Sequence, residues 1–242
     1  MGSIAKRFLS LYEEHRRKVA AIERETAAEM AELIAELEER LNPHPAPSAA
    51  SASGSVATQE VTPLAQIETA SGSKIALIQA DITRLPVDAI VNPASRTLQG
   101  GGGIEGAILR AGGQGLVDEC KELNGVERGE AKLTRGHKLP AKYVIHTVGP
   151  IWKGGDHDEA KMLADCYRHS LELATKNDVQ SIAFPAISTG NFGYPIEEAT
   201  RIAVKESAQF VSKHPELKVV YLVGFADDAI QAYMKAMKDV SG

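Results

Sequence analysis

The segment NPASRTLQGGGGIEGAI, residues 92–108, contains four consecutive glycines, Gly100 to Gly103. The residues before it, VDAIV (87–91), have the composition of a β-strand, and the residues after the glycines, IEGAI (104–108), resemble the start of a helix. Glycines at such a junction cost backbone entropy during folding. They suit a loop whose backbone approaches a ligand closely, with its amide N–H groups directed at that ligand.

A phosphate group is the ligand that this junction favours, because a helix N-terminus follows the glycines and adds its dipole. No Gly-Lys-Ser/Thr sequence closes the run, so the segment is not a P-loop. The acidic residue that follows the second strand of a dinucleotide-binding fold is not found in the expected place either. The segment therefore predicts a phosphate-binding loop of another type.

Strand-like and helix-like segments alternate around this loop. The predicted strands are residues 74–82, 88–92, 143–150, 181–187 and 218–225, and the predicted helices are residues 104–123, 159–177, 195–213 and 227–238. Three glycines, Gly112, Gly113 and Gly115, interrupt the first of these helices. The alternation predicts an α/β fold in which helices cover both faces of a sheet.

Three of the predicted strands end in chemically informative residues, and ligands of α/β folds bind at such carboxyl ends. These residues are Ala80-Asp81-Ile82, Asn92 with the glycine run, and the segment AISTGNFGYP (186–195). Alone, Asp81 could equally cap a turn, and Ser188-Thr189-Gly190 could be an ordinary turn. Four adjacent glycines are harder to explain without a ligand.

The N-terminal part of the chain has a different character. Residues 4–42 lack proline and are rich in Ala, Glu, Leu and Arg, so the segment 1–42 predicts one long charged helix. Its apolar residues could form a coiled-coil or partner-docking stripe, but they are imperfectly spaced, and a solvated helix fits equally well. A linker rich in Pro, Ala and Ser follows at residues 43–60, and the folded domain is predicted to span residues 61–242.

The composition of the chain limits the classes of partner. The chain has 242 residues with a net charge of −5 and a sequence pI of about 5.8, which argues against a nucleic-acid partner. Its two cysteines and seven scattered histidines predict neither a disulfide framework nor a metal site. No apolar run is long enough to span a bilayer, and the cysteine usage favours a reducing compartment. We expect an intracellular, cytoplasmic protein without a membrane partner.

Four segments together resemble the macrodomain family, and more narrowly its MacroD-type ADP-ribosyl hydrolases. They are ADITRLPVDAIVNPAS, GGGGIEGAILRAGG, RGEAKLTRGHKLPAKYVIHTVGPIW and AFPAISTGNFGYP, and the resemblance covers roughly residues 74 to 235. It implies a three-layer α/β/α fold with a mixed central sheet and a cleft for ADP-ribose. It implies no cofactor and no metal.

The resemblance also implies roles for individual residues. Asp81 would accept a hydrogen bond from the adenine amino group, with Ile82 and Phe225 beside the ring. The remaining ligand-binding positions, around the two phosphates and the distal ribose, would be Asn92, Gly101, Gly102, Gly103, Ile104, Ser188, Thr189, Gly190, Asn191 and Phe192. A pyrophosphate bound mainly by backbone amides would explain the glycine run.

Two positions depart from the family pattern, both at the reactive end. Ser95 stands where the family has asparagine, and Glu105 stands where it has aspartate. The first hypothesis is a hydrolase that removes mono-ADP-ribose from acidic residues of proteins, or acts on an acyl ester such as O-acetyl-ADP-ribose, with Glu105 and Ser95 as the catalytic pair. The alternative is a reader of ADP-ribose with little or no turnover, whose N-terminal helix supplies self-association or a partner contact.

Overall fold

The structure, a computed structural model, describes residues 62–100 and 102–241. The predicted N-terminal helix, the linker and Gly101 lie outside the described residues. The division of the chain into a helix, a linker and a domain therefore stays a prediction.

Strands and helices alternate through the described part of the chain. The strands are β1 (Ala65–Glu68), β2 (Lys74–Gln79), β3 (Ala89–Pro93), β4 (Ala131–Arg135), β5 (Tyr143–Thr147), β6 (Ser181–Pro185) and β7 (Val219–Gly224). The helices are α1 (Gly103–Glu122), α2 (Glu159–Thr175), α3 (Ile196–Val211) and α4 (Asp227–Ser241), and a short 3-10 helix spans Ile82–Arg84.

The strands form one mixed sheet in the order β1-β2-β7-β6-β3-β5-β4. The five inner strands, from β2 to β5 in that order, run parallel to one another, whereas β1 and β4 pair antiparallel at the two edges. This arrangement confirms the predicted α/β class with a mixed sheet.

The inner strands are apolar on both faces because a layer of helices covers each face. Ile75 and Leu77 pack in a core with α2, α3 and α4, whereas Ile78 packs on the other face with α1. Alternate residues along a strand thus serve opposite cores, as the period of two in a strand requires. The result is the expected three-layer α/β/α architecture.

The sequence pattern does not reveal the two edge strands. The residues of β1 (AQIE) and β4 (AKLTR) are mostly partly or fully exposed, and each strand has a single neighbour. Without burial on both faces, neither segment has the continuous apolar run that marks the inner strands. The predicted break in the first helix is confirmed, because Gly113 leaves the helical conformation with a φ of +73°.

Leu222, on β7 in the middle of the sheet, is completely buried, whereas Leu64 is 46% exposed. We predict that Leu222→Ala lowers the free energy of unfolding by about 2–5 kcal/mol, because it removes apolar contacts and leaves a cavity. The matched Leu64→Ala should change it by less than about 1 kcal/mol. Urea denaturation of both variants measures the difference, and similar values for the two would contradict the assigned core.

Candidate functional site

The described site residues that were predicted lie at the carboxyl ends of the parallel strands, which form one edge of the sheet: at the end of β3, in the segments that follow the strands, and in the first turn of α1. Asp81 follows β2 and Phe225 follows β7, whereas Ser95 follows β3 and Gly149 follows β5. The loop after β6, residues 186–192, lies between these two groups and is here named the closing loop. A ligand along this edge would run from Asp81 and Phe225, past the closing loop, to Ser95.

The glycine run has the geometry of a backbone that can approach a ligand. Gly100 and Gly103 have φ values of +87° and +63°, a region that favours glycine. Gly102 is the N-cap of α1, and a Cβ atom at Gly102 or Gly103 would meet nothing within 4 Å. Gly102 and Gly103 are exposed and Ile104 is half-buried, so the N-terminus of α1 is accessible at a place where the helix dipole favours an anion.

Ser95 and Glu105 meet across the glycine loop. Glu105 Oε1 accepts hydrogen bonds from the Ser95 N–H at 3.0 Å and from Ser95 Oγ at 3.1 Å. Glu105 Oε2 accepts no hydrogen bond from the described residues, although it is not completely buried. Burial raises the pKa of Glu105, and the bonds from Ser95 oppose this shift. One carboxylate oxygen is thus held by Ser95, and the other is available to a ligand or a water molecule.

Asn92, predicted to contact the ligand, is completely buried. Its Nδ2 lies 3.1 Å from His146 Nδ1, and His146 Nε2 lies 2.8 Å from Thr134 Oγ1. Burial lowers the pKa of His146 to about 4, so the neutral ring can accept a hydrogen bond from Asn92 through Nδ1. Asn92 therefore links β3 to β5 through its Nδ2, while its buried Oδ1 has no partner among the described residues. A ligand contact would require the side chain to become accessible.

Asp81 has the turn-capping role that the sequence left open. Its Oδ1 accepts hydrogen bonds from Thr83 N at 2.9 Å and Thr83 Oγ1 at 2.7 Å, and its Oδ2 lies 3.5 Å from Arg84 Nε. The carboxylate is nevertheless exposed and accessible to a ligand. Ile82 is buried, whereas Phe225 is 78% exposed and offers a flat apolar surface at the same end of the sheet edge.

The closing loop contains a strained residue. Ser188 has a φ of +67°, and its buried Oγ has no partner among the described residues. Backbone strain of this kind concentrates at functional sites. Thr189 Oγ1 donates to the Ala186 carbonyl at 2.9 Å, while Gly190 and Asn191 are exposed at the tip of the loop.

Phe192 is surrounded by residues that no sequence motif indicates. The Arg128 guanidinium carbon lies 5.6 Å from the centre of the Phe192 ring, and Arg128 Nη1 donates to the Gly149 carbonyl at 2.9 Å. The Trp152 N–H donates to the Phe192 carbonyl at 2.8 Å, and the Trp152 ring packs on Tyr194 with their centroids 4.7 Å apart. Phe192 is therefore held from the β4 and β5 side, which is the Ser95 end of the sheet edge.

Within residues 62–100 and 102–241, no group of three or more His, Cys, Asp or Glu side chains is placed to hold a metal ion. In the same part of the chain, no helix is long and apolar enough to cross a membrane.

Comparison with known proteins identifies the family. Residues 91–203 match the Macro domain, and a macro domain-containing protein of Methanosarcina mazei is 51% identical over 69% of this chain and 89% of its own length. The chain belongs to the macrodomain family. An O-acetyl-ADP-ribose deacetylase of Salmonella newport is 46% identical over 68% of the chain and 94% of its own length. The ADP-ribose glycohydrolase MACROD2 of Xenopus laevis is 46% identical over 72% of the chain and 42% of its own length.

Solved macrodomains share the fold. The Oceanobacillus iheyensis macrodomain with ADP has a TM-score of 0.70 and 35% identity, and the match covers 73% of this chain and 96% of that one. The Trypanosoma brucei macrodomain in complex with ADP-ribose has a TM-score of 0.64 and 44% identity, covering 67% of this chain and 68% of that one.

Three solved variants of the Oceanobacillus macrodomain each carry one substitution. They replace an asparagine, a glycine seven residues later and an aspartate three residues after that glycine. In the present chain, the same spacing separates Ser95, Gly102 and Glu105. The glycine-to-valine variant of that macrodomain was solved with ADPR. The open space next to Gly102 fits that observation.

The pKa of Glu105 offers a test of the site geometry. Ser95→Ala removes the Oγ donor but keeps the backbone N–H donor, so the carboxylate loses part of its stabilisation. We predict that the pKa of Glu105, which is already raised, rises further in this variant. A carboxyl ¹³C NMR titration measures it, with Glu105→Gln identifying the resonance and the exposed Glu68 as an internal reference. An unchanged pKa would show that the Ser95 hydroxyl does not bind this carboxylate in solution.

Proposed function

We propose that this macrodomain binds ADP-ribose along the carboxyl edge of its sheet and hydrolyses ADP-ribose esters. The esters are mono-ADP-ribose on acidic residues of proteins, or O-acetyl-ADP-ribose. The observation that carries the proposal is the Glu105 carboxylate, partly free and held by Ser95 next to the open first turn of α1. The names of two relatives, an O-acetyl-ADP-ribose deacetylase and an ADP-ribose glycohydrolase, support hydrolysis.

The proposed ligand lies across the carboxyl ends of the strands, from β2 and β7 to β3. The adenine lies at the β2 and β7 end, where Asp81 is exposed and Phe225 offers its ring. The diphosphate lies between the first turn of α1 and the closing loop, because the helix N-terminus favours negative charge there. The distal ribose then reaches Ser95, Glu105 and Phe192, so its C1″ and the attached acyl group are at the reactive end.

The proposed reaction uses water as its only co-reactant. The oxygen of a water molecule attacks the electrophilic carbon of the ester, which is C1″ or the acyl carbon. One proton of that water passes to Glu105 Oε2. The ester C–O bond then breaks, and the proton returns to the leaving oxygen or to solvent. The raised pKa of Glu105 suits this role, because a stronger base accepts a proton more readily.

A reader of ADP-ribose with little turnover is the second candidate. The observation that favours it is the engagement of Glu105 Oε1 by both Ser95 donors, which holds half of the carboxylate in a loop-closing role. The binding half of the proposal is the same for both candidates, so the two differ only in the rate of hydrolysis.

The setting and partners of the protein belong to the proposal as well. Cys120 and Cys166 are free and buried in the described structure, which is compatible with a reducing, cytoplasmic compartment. ADP-ribosylated proteins are the proposed partners. A contact through residues 4–42, with a second copy or another protein, remains a prediction.

Binding at the adenine end can be tested at Asp81. Asp81→Asn keeps an Oδ1 acceptor for Thr83 but loses the charge that an amino group would meet. We predict that its affinity for ADP-ribose falls roughly ten- to a hundredfold, the value of a hydrogen bond to a charged acceptor. Isothermal titration calorimetry measures it, with the exposed Asp239→Asn as a control that keeps wild-type affinity. Equal affinities for both variants would remove Asp81 from the site.

Catalysis can be tested at Glu105. Glu105→Gln keeps the size of the side chain and can still accept from Ser95, but it cannot take a proton. We predict that ADP-ribose affinity changes by no more than about threefold, while turnover falls about 10²- to 10⁴-fold. In the wild type, kcat/KM should rise with pH through a pKa above the ordinary glutamate value, because the base must be deprotonated. That acid limb should be absent in the variant.

The measurement is single-turnover release of ADP-ribose from a glutamate-modified protein, with the exposed Glu68→Gln as the matched control. Equal rates for the wild type and Glu105→Gln would exclude Glu105 as the base. Tight ADP-ribose binding without release by the wild type would establish the reader instead of the hydrolase.

A further inference from the structure

The segment between β5 and α2 includes residues 151–158, here named the tryptophan loop, which packs against the closing loop. Its residue Trp152 donates a backbone hydrogen bond to the Phe192 carbonyl at 2.8 Å. The Trp152 ring packs on Tyr194, which follows the closing loop. The position of Phe192 thus depends on a second loop that contains none of the predicted ligand-binding residues.

A single buried carboxylate organises the tryptophan loop. Glu159, the first residue of α2, is only 1% exposed. Its carboxylate accepts backbone N–H groups from Lys153 at 3.0 Å, Gly155 at 3.4 Å and His157 at 2.6 Å. Burial by itself would raise the pKa of Glu159, but these backbone donors lower it below its ordinary value. The side chain is therefore an anion around which the loop is wrapped.

The wrapped loop in turn determines where Trp152 lies. Gly155 has a φ of +97°, and a Cβ atom there would lie 3.0 Å from the Trp152 ring. The ring therefore packs directly on the glycine backbone that Glu159 holds. A chain of contacts runs from Glu159 through Gly155 and Trp152 to Phe192.

We propose that Glu159 is a positioning residue, which holds Phe192 in place for the distal ribose through the tryptophan loop and so favours ADP-ribose over ADP. This inference rests on the proposed function, in which Phe192 lies at the distal ribose. ADP has the adenine and both phosphates but no distal ribose. A displacement of the Phe192 ring, at the last position of the closing loop, therefore weakens binding of ADP-ribose much more than binding of ADP.

The test compares the two ligands in Glu159→Gln, which replaces the anion by a neutral group of the same size. We expect affinity for ADP-ribose to fall at least about tenfold, the size of one well-placed contact, and affinity for ADP to stay within about twofold. Glu172→Gln is the matched control, because Glu172 is on the same helix and its side chain is 43% exposed. Isothermal titration calorimetry gives all the affinities.

Fluorescence gives an independent readout, because Trp152 is the only tryptophan of the chain. In the wild type, ADP-ribose should change the emission of Trp152, and ADP should change it much less. In Glu159→Gln, the emission of the free protein should shift, and the difference between the two ligands should disappear. The control Glu172→Gln should behave as the wild type does.

A second variant protects the test against loss of folding. Gly155→Ala leaves Glu159 intact but strains the same loop at a positive φ and crowds the Trp152 ring. It should show the same selective loss of ADP-ribose affinity, and it decides the question if Glu159→Gln does not fold. Equal weakening of both ligands, or of neither, would overturn the proposal. A wild type that binds neither ligand would instead refute the proposed function, and this inference with it.

Discussion

The hydrogen bonds from Ser95 to Glu105 close the glycine loop, and the geometry of the reactive end depends on them. Glycines contribute no side chains that could order the loop, so its shape is determined by the residues on either side. On one side, Leu98 is buried in the core; on the other, Glu105 reaches back from the first turn of α1 to Ser95. The helix N-terminus is thereby fixed next to the end of β3, where it is accessible.

A buried glutamate in the first turn of a helix occurs twice in this fold, and the two pKa values are shifted in opposite directions. Glu105 and Glu159 both lie in the first turn of a helix, are both buried, and both accept N–H groups from the preceding loop. Glu105 accepts two hydrogen bonds, both from Ser95, and burial still raises its pKa. Glu159 accepts from three backbone groups of its loop, and its pKa is lowered. Backbone donors thus outweigh burial at Glu159 but the Ser95 donors do not at Glu105, which separates a carboxylate suited to holding a loop from one suited to proton transfer.

The sequence predicted those features that depend on local chemistry. The described glycines of the run and the strand end at Asp81 lie where expected, because the backbone conformation of each depends on the residues of one short segment. Asn92 was predicted to contact the ligand, and only the partner strand shows that His146 lies against its Nδ2, while its Oδ1 has no partner among the described residues. Arg128 and Trp152 act on Phe192 from distant positions in the chain, so no local pattern reveals them. Glu159 looked like any acidic residue at a helix start, because its backbone donors come from the fold of the preceding loop.

The central claim is that backbone amides at the carboxyl edge of the sheet bind the ligand. Amide ¹H–¹⁵N NMR spectra recorded during a titration with ADP-ribose test it most directly. We predict the largest shifts for Gly102 at the N-cap of α1, Gly103 and Ile104 in its first turn, and Ser188 in the closing loop. The amide signal of Gly136 should stay unchanged, because Gly136 is in the β4–β5 turn, at the amino end of β5 and away from the proposed site. Large shifts at Gly136 with none in the first turn of α1 would contradict the account.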